Sequence, residues 1–233
     1  MAFNNAKNII VGAAPLYIST KDSTVDGYVE NMLDGASGGV SLVSGTSART
    51  TLDAASTKFR NVGYTNNGLQ ITYNPTYGSV TVDQLLDTAK LFKESMEVMI
   101  ATELSEATLT NALVVFGQGG DTLKKSGTAT TDSYPGSSAD MELGLAAGAL
   151  GIQPTERQLV AVGNAPTFAK GVSGDESART ERVYYARRVL SVQQSQFTLA
   201  RNNATVFPVN FRLLPDANYN GAEYGKIIDR VLS

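Results

Sequence analysis

The side chains of this chain that could do chemistry are carboxylates, hydroxyls and arginines, because the sequence contains neither cysteine nor histidine. Gly35–Gly39 spells the G-x-S-x-G pattern of a serine nucleophile elbow around Ser37. That motif requires a strand–turn–helix setting and a general base, which is usually a histidine. We therefore interpret this glycine-rich stretch as a flexible loop and not as a hydrolase site.

Two glutamates on one predicted strand form the next candidate. Glu97 and Glu103 lie six residues apart, which is about 20 Å at the rise of a β-strand. That separation is too large for the paired carboxylates of an acid/base mechanism. The glutamates therefore predict an acidic strand face, with no catalytic role.

Four further carboxylates recur at every fourth position: Asp22, Asp26, Glu30 and Asp34. This spacing places them along one side of a short helix, which the apolar residues within Val25–Leu33 would form and Gly35 would end. No EF-hand spacing accompanies the row. We interpret it as a solvated helix face and expect no metal site.

Arginine and tyrosine alternate in a long strand region of the last third: Tyr184, Tyr185, Arg187 and Arg188. Basic residues among aromatics can bind nucleic acid, but the net charge of −3 argues against it. Adjacent residues of a strand also point to opposite faces. We favour salt bridges at a subunit contact, since arginine and tyrosine are enriched at interfaces.

Composition limits the remaining function classes. Without cysteine and histidine, disulfides, thiolate nucleophiles, standard hydrolase triads and most zinc sites are excluded. No apolar run reaches the roughly 20 residues of a membrane span, and the first residues lack the pattern of a signal peptide. We expect a soluble protein, made inside the cell, without catalytic residues, cofactor or metal.

The element that would position the glutamates is Lys90–Gly117, which predicts a strand followed by a helix. Apolar and other side chains alternate along the strand, as Met96, Val98, Ile100 and Leu104 against Glu97, Met99, Ala101 and Glu103. Ser105 is the expected N-cap of the helix and Gly117 its C-terminal stop. The helix would then cover the apolar face of the strand.

Strand patterns dominate the remaining chain. Asn66–Gly68 separates two alternating runs and predicts a β-hairpin, and Asn74–Gly78 predicts another turn. Residues 157–163 predict a short strand buried on both faces. We expect one mainly β (α+β) domain over residues 1–233, a β-sandwich or barrel with one flanking α-helix. The polar stretches 20–58 and 118–140 are expected to be insertions or mobile loops.

The order of these segments resembles the tail tube proteins (major tail proteins) of long-tailed bacteriophages. The resemblance covers three stretches: Asn8–Ser19 (NIIVGAAPLYIS), Phe59–Gly117 (beginning FRNVGYTNNGLQITYNPTYG) and Gln158–Asp216, which ends in FTLARNNATVFPVNFRLLPD. Each stretch is a generic β pattern, and their order and spacing carry the likeness. Residues 20–58 and 118–140 do not match the family core.

The resemblance implies a structural role in the virion tail, after assembly in the host cytoplasm. Hexameric rings would stack into a hollow tube that conducts DNA, with tape-measure, tail terminator, baseplate and sheath proteins as partners. Glu97 and Glu103 would then face the lumen, where acidic groups repel phosphates. The alternatives are another ring-forming tail component, or a β-sandwich module that binds carbohydrate or protein.

Overall fold

The computed structural model describes residues 12–26, 28–81, 83, 87–125, 128–129, 141–147, 154–166, 179–192, 195–199, 201–202 and 204–232. The chain is mainly β, which confirms the predicted class. Its strands are β1 (Leu16–Ser19), β2 (Phe59–Asn61), β3 (Thr65–Thr81), β4 (Thr88–Leu104), β5 (Leu123–Lys125), β6 (Thr128–Ala129), β7 (Met141–Leu143), β8 (Arg157–Asn164), β9 (Arg179–Ser191), β10 (Phe207–Leu213) and β11 (Gly225–Leu232). Two α-helices accompany them, α1 (Ala48–Ala54) and α2 (Leu109–Val115).

Eight of the strands form one antiparallel sheet in the order β2-β1-β8-β9-β10-β4-β3, with β11 also paired to β9. Along one edge of β9, β11 pairs with Arg179–Ala186 and β10 with Val189–Ser191. The sheet of the described residues therefore has two ends, β2 and β3, and is open. A second sheet holds β6-β5-β7 and lies partly within 118–140.

Apolar side chains cover both faces of one half of the large sheet. On one face, α2 packs over Leu16, Ile18, Ile100 and Phe211. On the other, residues from 32 to 59 pack over β1, β8 and β9, and Leu52 of α1 is completely buried there. Residues 157–163 of β8 are all buried, as predicted for a strand covered on both faces.

The helix α2 begins later than the sequence predicts. Its N-cap is Thr108, whose hydroxyl accepts a hydrogen bond from the N–H of Asn111. Ser105 cannot act as the cap because its N–H still donates to the carbonyl of Tyr64 and prolongs the strand pairing. Gly117 does end the helix, with φ at +63° and its N–H bonded to Val114 in a Schellman arrangement.

Residues 20–58 fold against the sheet, and the helix predicted over Val25–Leu33 is absent. In the described part of this stretch turns replace it, and several of its polar groups bond to the sheet. The N–H of Met32 donates to the Gln158 side chain, and the Asp34 carboxylate binds Arg187 at 2.8 Å. The α-helix of this region is α1 instead, at Ala48–Ala54.

The Asn66–Gly68 hairpin and the Asn74–Gly78 turn are also wrong. Both segments lie within β3, which pairs with β4 on either side of Asn67–Leu69 and along the whole of Asn74–Gly78. Asn67 and Gly68 do take left-handed backbone angles, with φ at +58° and +68°. These angles form a bulge between Asn66 and Gln70, which the Thr102 hydroxyl closes by donating to the Gly68 carbonyl. β3 and β4 are the paired strands instead, and their register ends at Thr81 opposite Thr88.

Candidate assembly surface

The β3–β4 hairpin extends past the other strands of the sheet. Since β10 pairs with β4 only over Met99–Leu104, residues 88–98 of β4 and their partners at 73–81 of β3 form a two-stranded ribbon, which we call the arm. Eleven strand residues span about 35 Å. No residue of β3 is buried within the chain, and β4 becomes buried only from Val98 onward.

Apolar side chains of the arm are exposed to solvent. Large apolar residues remain open to solvent on both of its strands: Tyr73 (59%), Tyr77 (59%), Val80 (43%), Leu91 (65%) and Phe92 (47%). The ring of Phe92 lies over Gly78, where a Cβ atom would stand only 2.5 Å from it. An exposed apolar concentration of this kind is typical of an interaction surface.

An apolar groove continues this surface at the base of the arm. It encloses about 360 Å³ between the arm and β11, and its wall includes Ile71, Met96, Tyr184 and Ile227. Ile227 is 64% exposed. The groove opens on the sheet face that α2 covers elsewhere, since Val98 and Ile100 form its floor. A partner's apolar side chains could enter it without displacing any described residue.

Open strand edges border the arm and the groove. Within the part of the chain that the structure describes, β3 pairs only with β4, β2 only with β1, and β11 only with β9. Unpaired edge groups are templates for pairing with another chain. The edges and the apolar arm together form the candidate surface for contact with another chain.

Glu97 and Glu103 lie on the sheet face opposite α2. Val98, Ile100 and Leu104 are buried on the α2 face of the same strand, so the predicted alternation along β4 is confirmed. Glu97 lies 3.6 Å from the guanidinium of Arg212, and Glu103 accepts a hydrogen bond from Asn66 at 3.0 Å. The face therefore mixes charges, with one glutamate balanced by an arginine. That it lines a lumen stays a prediction.

The four residues predicted at a subunit contact have different positions. Tyr185 and Arg187 are buried within the chain, Tyr185 donating to Gln158 and Arg187 pairing with Asp34, so their polar partners are internal. Burial, together with the nearby Asp34, raises the pKa of Tyr185. Arg188 is part-exposed and pairs with Glu156 at 2.6 Å, and Tyr184 lines the apolar groove.

The sequence interpretation missed the carboxylates that attach residues 20–58 to the sheet. Asp22 pairs with Arg157 at 2.6 Å, and Asp34 pairs with both Arg187 and Lys226. The buried Glu181 accepts from the Ala48 N–H at the start of α1 and pairs with Arg230. The regular spacing of the acidic row concealed these partners, since they lie more than a hundred residues away.

The apolar arm was also missed as a surface. A signal for it exists, because Leu91 and Phe92 are adjacent and therefore occupy opposite faces of a strand otherwise rich in charge. The described residues hold no group of three or more carboxylates that could bind a metal. Among the helices described, none has the length and apolar character needed to cross a membrane.

No family model matches the chain, and neither does any curated protein.

Proposed function

We propose that this chain is a structural subunit of a bacteriophage tail tube, which self-assembles into stacked, hexameric rings around a channel for DNA. The observation that carries the proposal is the arm, which exposes apolar side chains on both of its faces. A subunit that worked alone would leave them in water at a cost of about 25 cal/mol for each Å². A neighbouring subunit would bury them.

The positions of the sheet edges support ring formation in this proposal. The sheet ends in β2 on one side and β3 on the other, so contact between unlike edges of successive copies is heterologous. Heterologous contacts that close form rings, and rings that stack form a tube. In this proposal the barrel predicted from the sequence belongs to the assembled ring, whereas each subunit contributes an open sheet.

The proposed partners are other copies of the chain, together with tape-measure, terminator, baseplate and possible sheath proteins of a virion tail. DNA would pass through without specific binding. The sheet face of Glu97 and Glu103 is our candidate for the lumen wall, because it lacks the clustered basic residues that hold phosphates. A terminator or baseplate ring would form rings that do not stack into long tubes, so particle length distinguishes that alternative.

Electron microscopy of the purified protein over a range of concentrations tests the proposal. We expect rings or tubes for the unaltered chain. The double variant Tyr77→Ser/Leu91→Ser removes two apolar groups from one face of the arm, and we expect it to remain monomeric. Since both side chains are exposed, its free energy of unfolding should change by less than about 0.5 kcal/mol.

The matched control replaces an equally exposed tyrosine and leucine away from the arm. Tyr64 is 81% exposed and Leu145 is 73% exposed, so Tyr64→Ser/Leu145→Ser removes the same groups from other surfaces. We expect this variant to assemble as the unaltered chain does. A protein that stays monomeric at every concentration, or equal assembly of both double variants, would contradict the proposal.

A further inference from the structure

A polar cavity lies at the end of the sheet opposite the arm. It has a volume of about 470 Å³, and residues of α1, β2 and α2 or the segments next to them form its wall. Arg60 of β2 is part of that wall. Its Nη1 donates to the side-chain oxygen of Asn111 at 2.7 Å, and its Nη2 donates to the carbonyl of Thr110 at 2.9 Å. Both acceptors are neutral.

Arg60 has no carboxylate partner among the described residues. The arginines that form ion pairs there are Arg157, Arg182, Arg187, Arg188, Arg212 and Arg230. The charged group that acts on it is a second guanidinium, that of Arg157, whose own charge is balanced by Asp22 at 2.6 Å. Burial, with a smaller contribution from Arg157, lowers the pKa of Arg60 to about 9. The guanidinium of Arg60 is therefore not ion-paired among the described residues, and the carboxylates of Asp53 and Glu106 lie elsewhere in the same wall.

A guanidinium has five N–H donors in a planar fork, and the neutral acceptors engage only two of its nitrogens. A carboxylate matches that fork with two oxygens, and charge-assisted bonds of this kind are stronger than neutral ones. Hydroxyl groups of Ser56, Thr57 and Thr108 add possible donors in the same wall.

We propose that this cavity binds a carboxylate group against Arg60. A monoanion suits it better than a phosphate, because Asp53 and Glu106 also line the wall and would repel a doubly charged group. The Glu106 carboxylate already accepts the N–H of Tyr64 at 3.1 Å. Asp53 is exposed, so its charge can be removed with little effect on packing.

The carboxylate can come from a small molecule or from an acidic side chain of a second copy of the chain. The second source rests on the proposed function, since β2 is an edge strand that a neighbouring copy would approach. The binding chemistry at Arg60 is the same for both sources. It does not depend on ring formation, so the two proposals can fail separately.

The test titrates the full chain at pH 7 with acetate and with glutarate, against chloride at matched ionic strength, and follows amide chemical shifts by NMR. We expect saturable shifts for residues of the cavity wall. Arg60→Gln should weaken binding about 10- to 100-fold, as the loss of a charge-assisted bond predicts. Asp53→Asn should tighten binding about fivefold, since one opposing charge is removed.

Arg60→Lys provides a second variant if Arg60→Gln fails to fold, because it keeps the charge and loses the fork; we expect intermediate affinity. Assembly of the unaltered chain is then measured with and without glutarate. Inhibition of assembly by glutarate and by Arg60→Gln identifies a second copy as the source, and unchanged assembly identifies a small molecule. No saturable shift in either the unaltered chain or Asp53→Asn would overturn the proposal, as would binding that Arg60→Gln leaves intact.

Discussion

The two halves of the large sheet are built in opposite ways. In β8, seven consecutive residues from Arg157 to Gly163 are buried, whereas none of the seventeen residues of β3 is buried. The β1-β8-β9 half is covered on one face by α2 and on the other by residues 20–58. Among the described residues, the β10-β4-β3 half has a cover on only one face, and its arm is exposed except at the base, where Met96 and Val98 join the core.

The groups that stabilise the folded chain therefore lie in one half of the sheet, and the groups exposed for contact with another chain lie in the other half. We call the β1-β8-β9 half the covered half and the β10-β4-β3 half the bare half. Burial of apolar area and of paired charges in the covered half supplies the free energy of folding. Beyond its base, the arm contributes little to the free energy of folding, because its side chains are still exposed to water. Changes in the covered half should therefore lower stability, whereas changes in the bare half should alter association and leave stability unchanged.

The largest effect is expected from Arg187→Ala in the covered half. The substitution leaves the buried Asp34 carboxylate with Lys226 as its only ionic partner, and Arg187 and Asp34 are 2% and 6% exposed. Removal of one member of a buried pair costs about 3–5 kcal/mol; since Lys226 remains, we expect about 3 kcal/mol. Urea denaturation measures the change.

Arg182→Ala is the matched control on the same strand. Its ion pair with Asp229 is about a quarter exposed on both sides, and exposed pairs contribute less than about 1 kcal/mol. Equal destabilisation by the two arginine variants would contradict the expectation that burial of the Arg187–Asp34 pair makes its loss the costlier of the two.

The sequence predicts the covered strands better than their cover. The apolar run of β8 and the alternation in β4 identify strands because burial of side chains decides both patterns. The cover that residues 20–58 form over the sheet depends on ion pairs such as Asp34 with Arg187, whose members lie 153 positions apart. No local pattern contains that information, so the acidic row was interpreted as a solvated helix face.

The bare half was hardest to predict for a related reason. Asn67 and Gly68 adopt the left-handed angles that their residue types favour, yet such angles fit a bulge as well as a hairpin turn. The choice depends on whether the strand continues, and β4 provides partners for β3 on both sides of the bulge. The candidate surface on the arm follows from that continuation, and so it could not be predicted before the pairing was known.

Alkaline pH gives a second, smaller test of the covered half. Burial, together with Asp53, raises the pKa of Tyr17 to about 12, against an ordinary value near 10. The unfolded chain therefore loses this proton first as the pH rises. The stability contributed by the neutral phenol is fully present below pH 10 and is lost progressively up to about pH 12.

Tyr17→Phe should reduce the loss of unfolding free energy between pH 10 and 12, because it removes the Tyr17 phenol and keeps the ring. Urea denaturation at pH 8 to 12 measures this loss. Tyr77→Phe, in the exposed arm, makes the same chemical change away from the buried phenol and serves as the control. An unchanged slope between pH 10 and 12 in Tyr17→Phe would show that burial of this phenol does not govern the alkaline limit.

The smallest change in stability among these tests is expected for charge reversal at Glu97 and Glu103, on the uncovered face of the bare half. Glu97→Lys/Glu103→Lys alters two side chains that are not buried, so the free energy of unfolding should change by less than about 1 kcal/mol. If this face lines the channel, tubes should still form, and short duplex DNA should bind inside them and become protected from nuclease. Counterion release predicts that added salt weakens this binding.

Asp121→Lys/Glu142→Lys makes the same change in net charge at two exposed positions outside that face. Tubes of this control can attract DNA only to surfaces that a nuclease reaches, provided the face of Glu97 and Glu103 is the channel wall. Protection is therefore the decisive readout, since both variants add positive charge and only its location differs. Equal protection by both variants, or protection by the control alone, would remove these glutamates from the channel and leave the arm contacts to be judged separately.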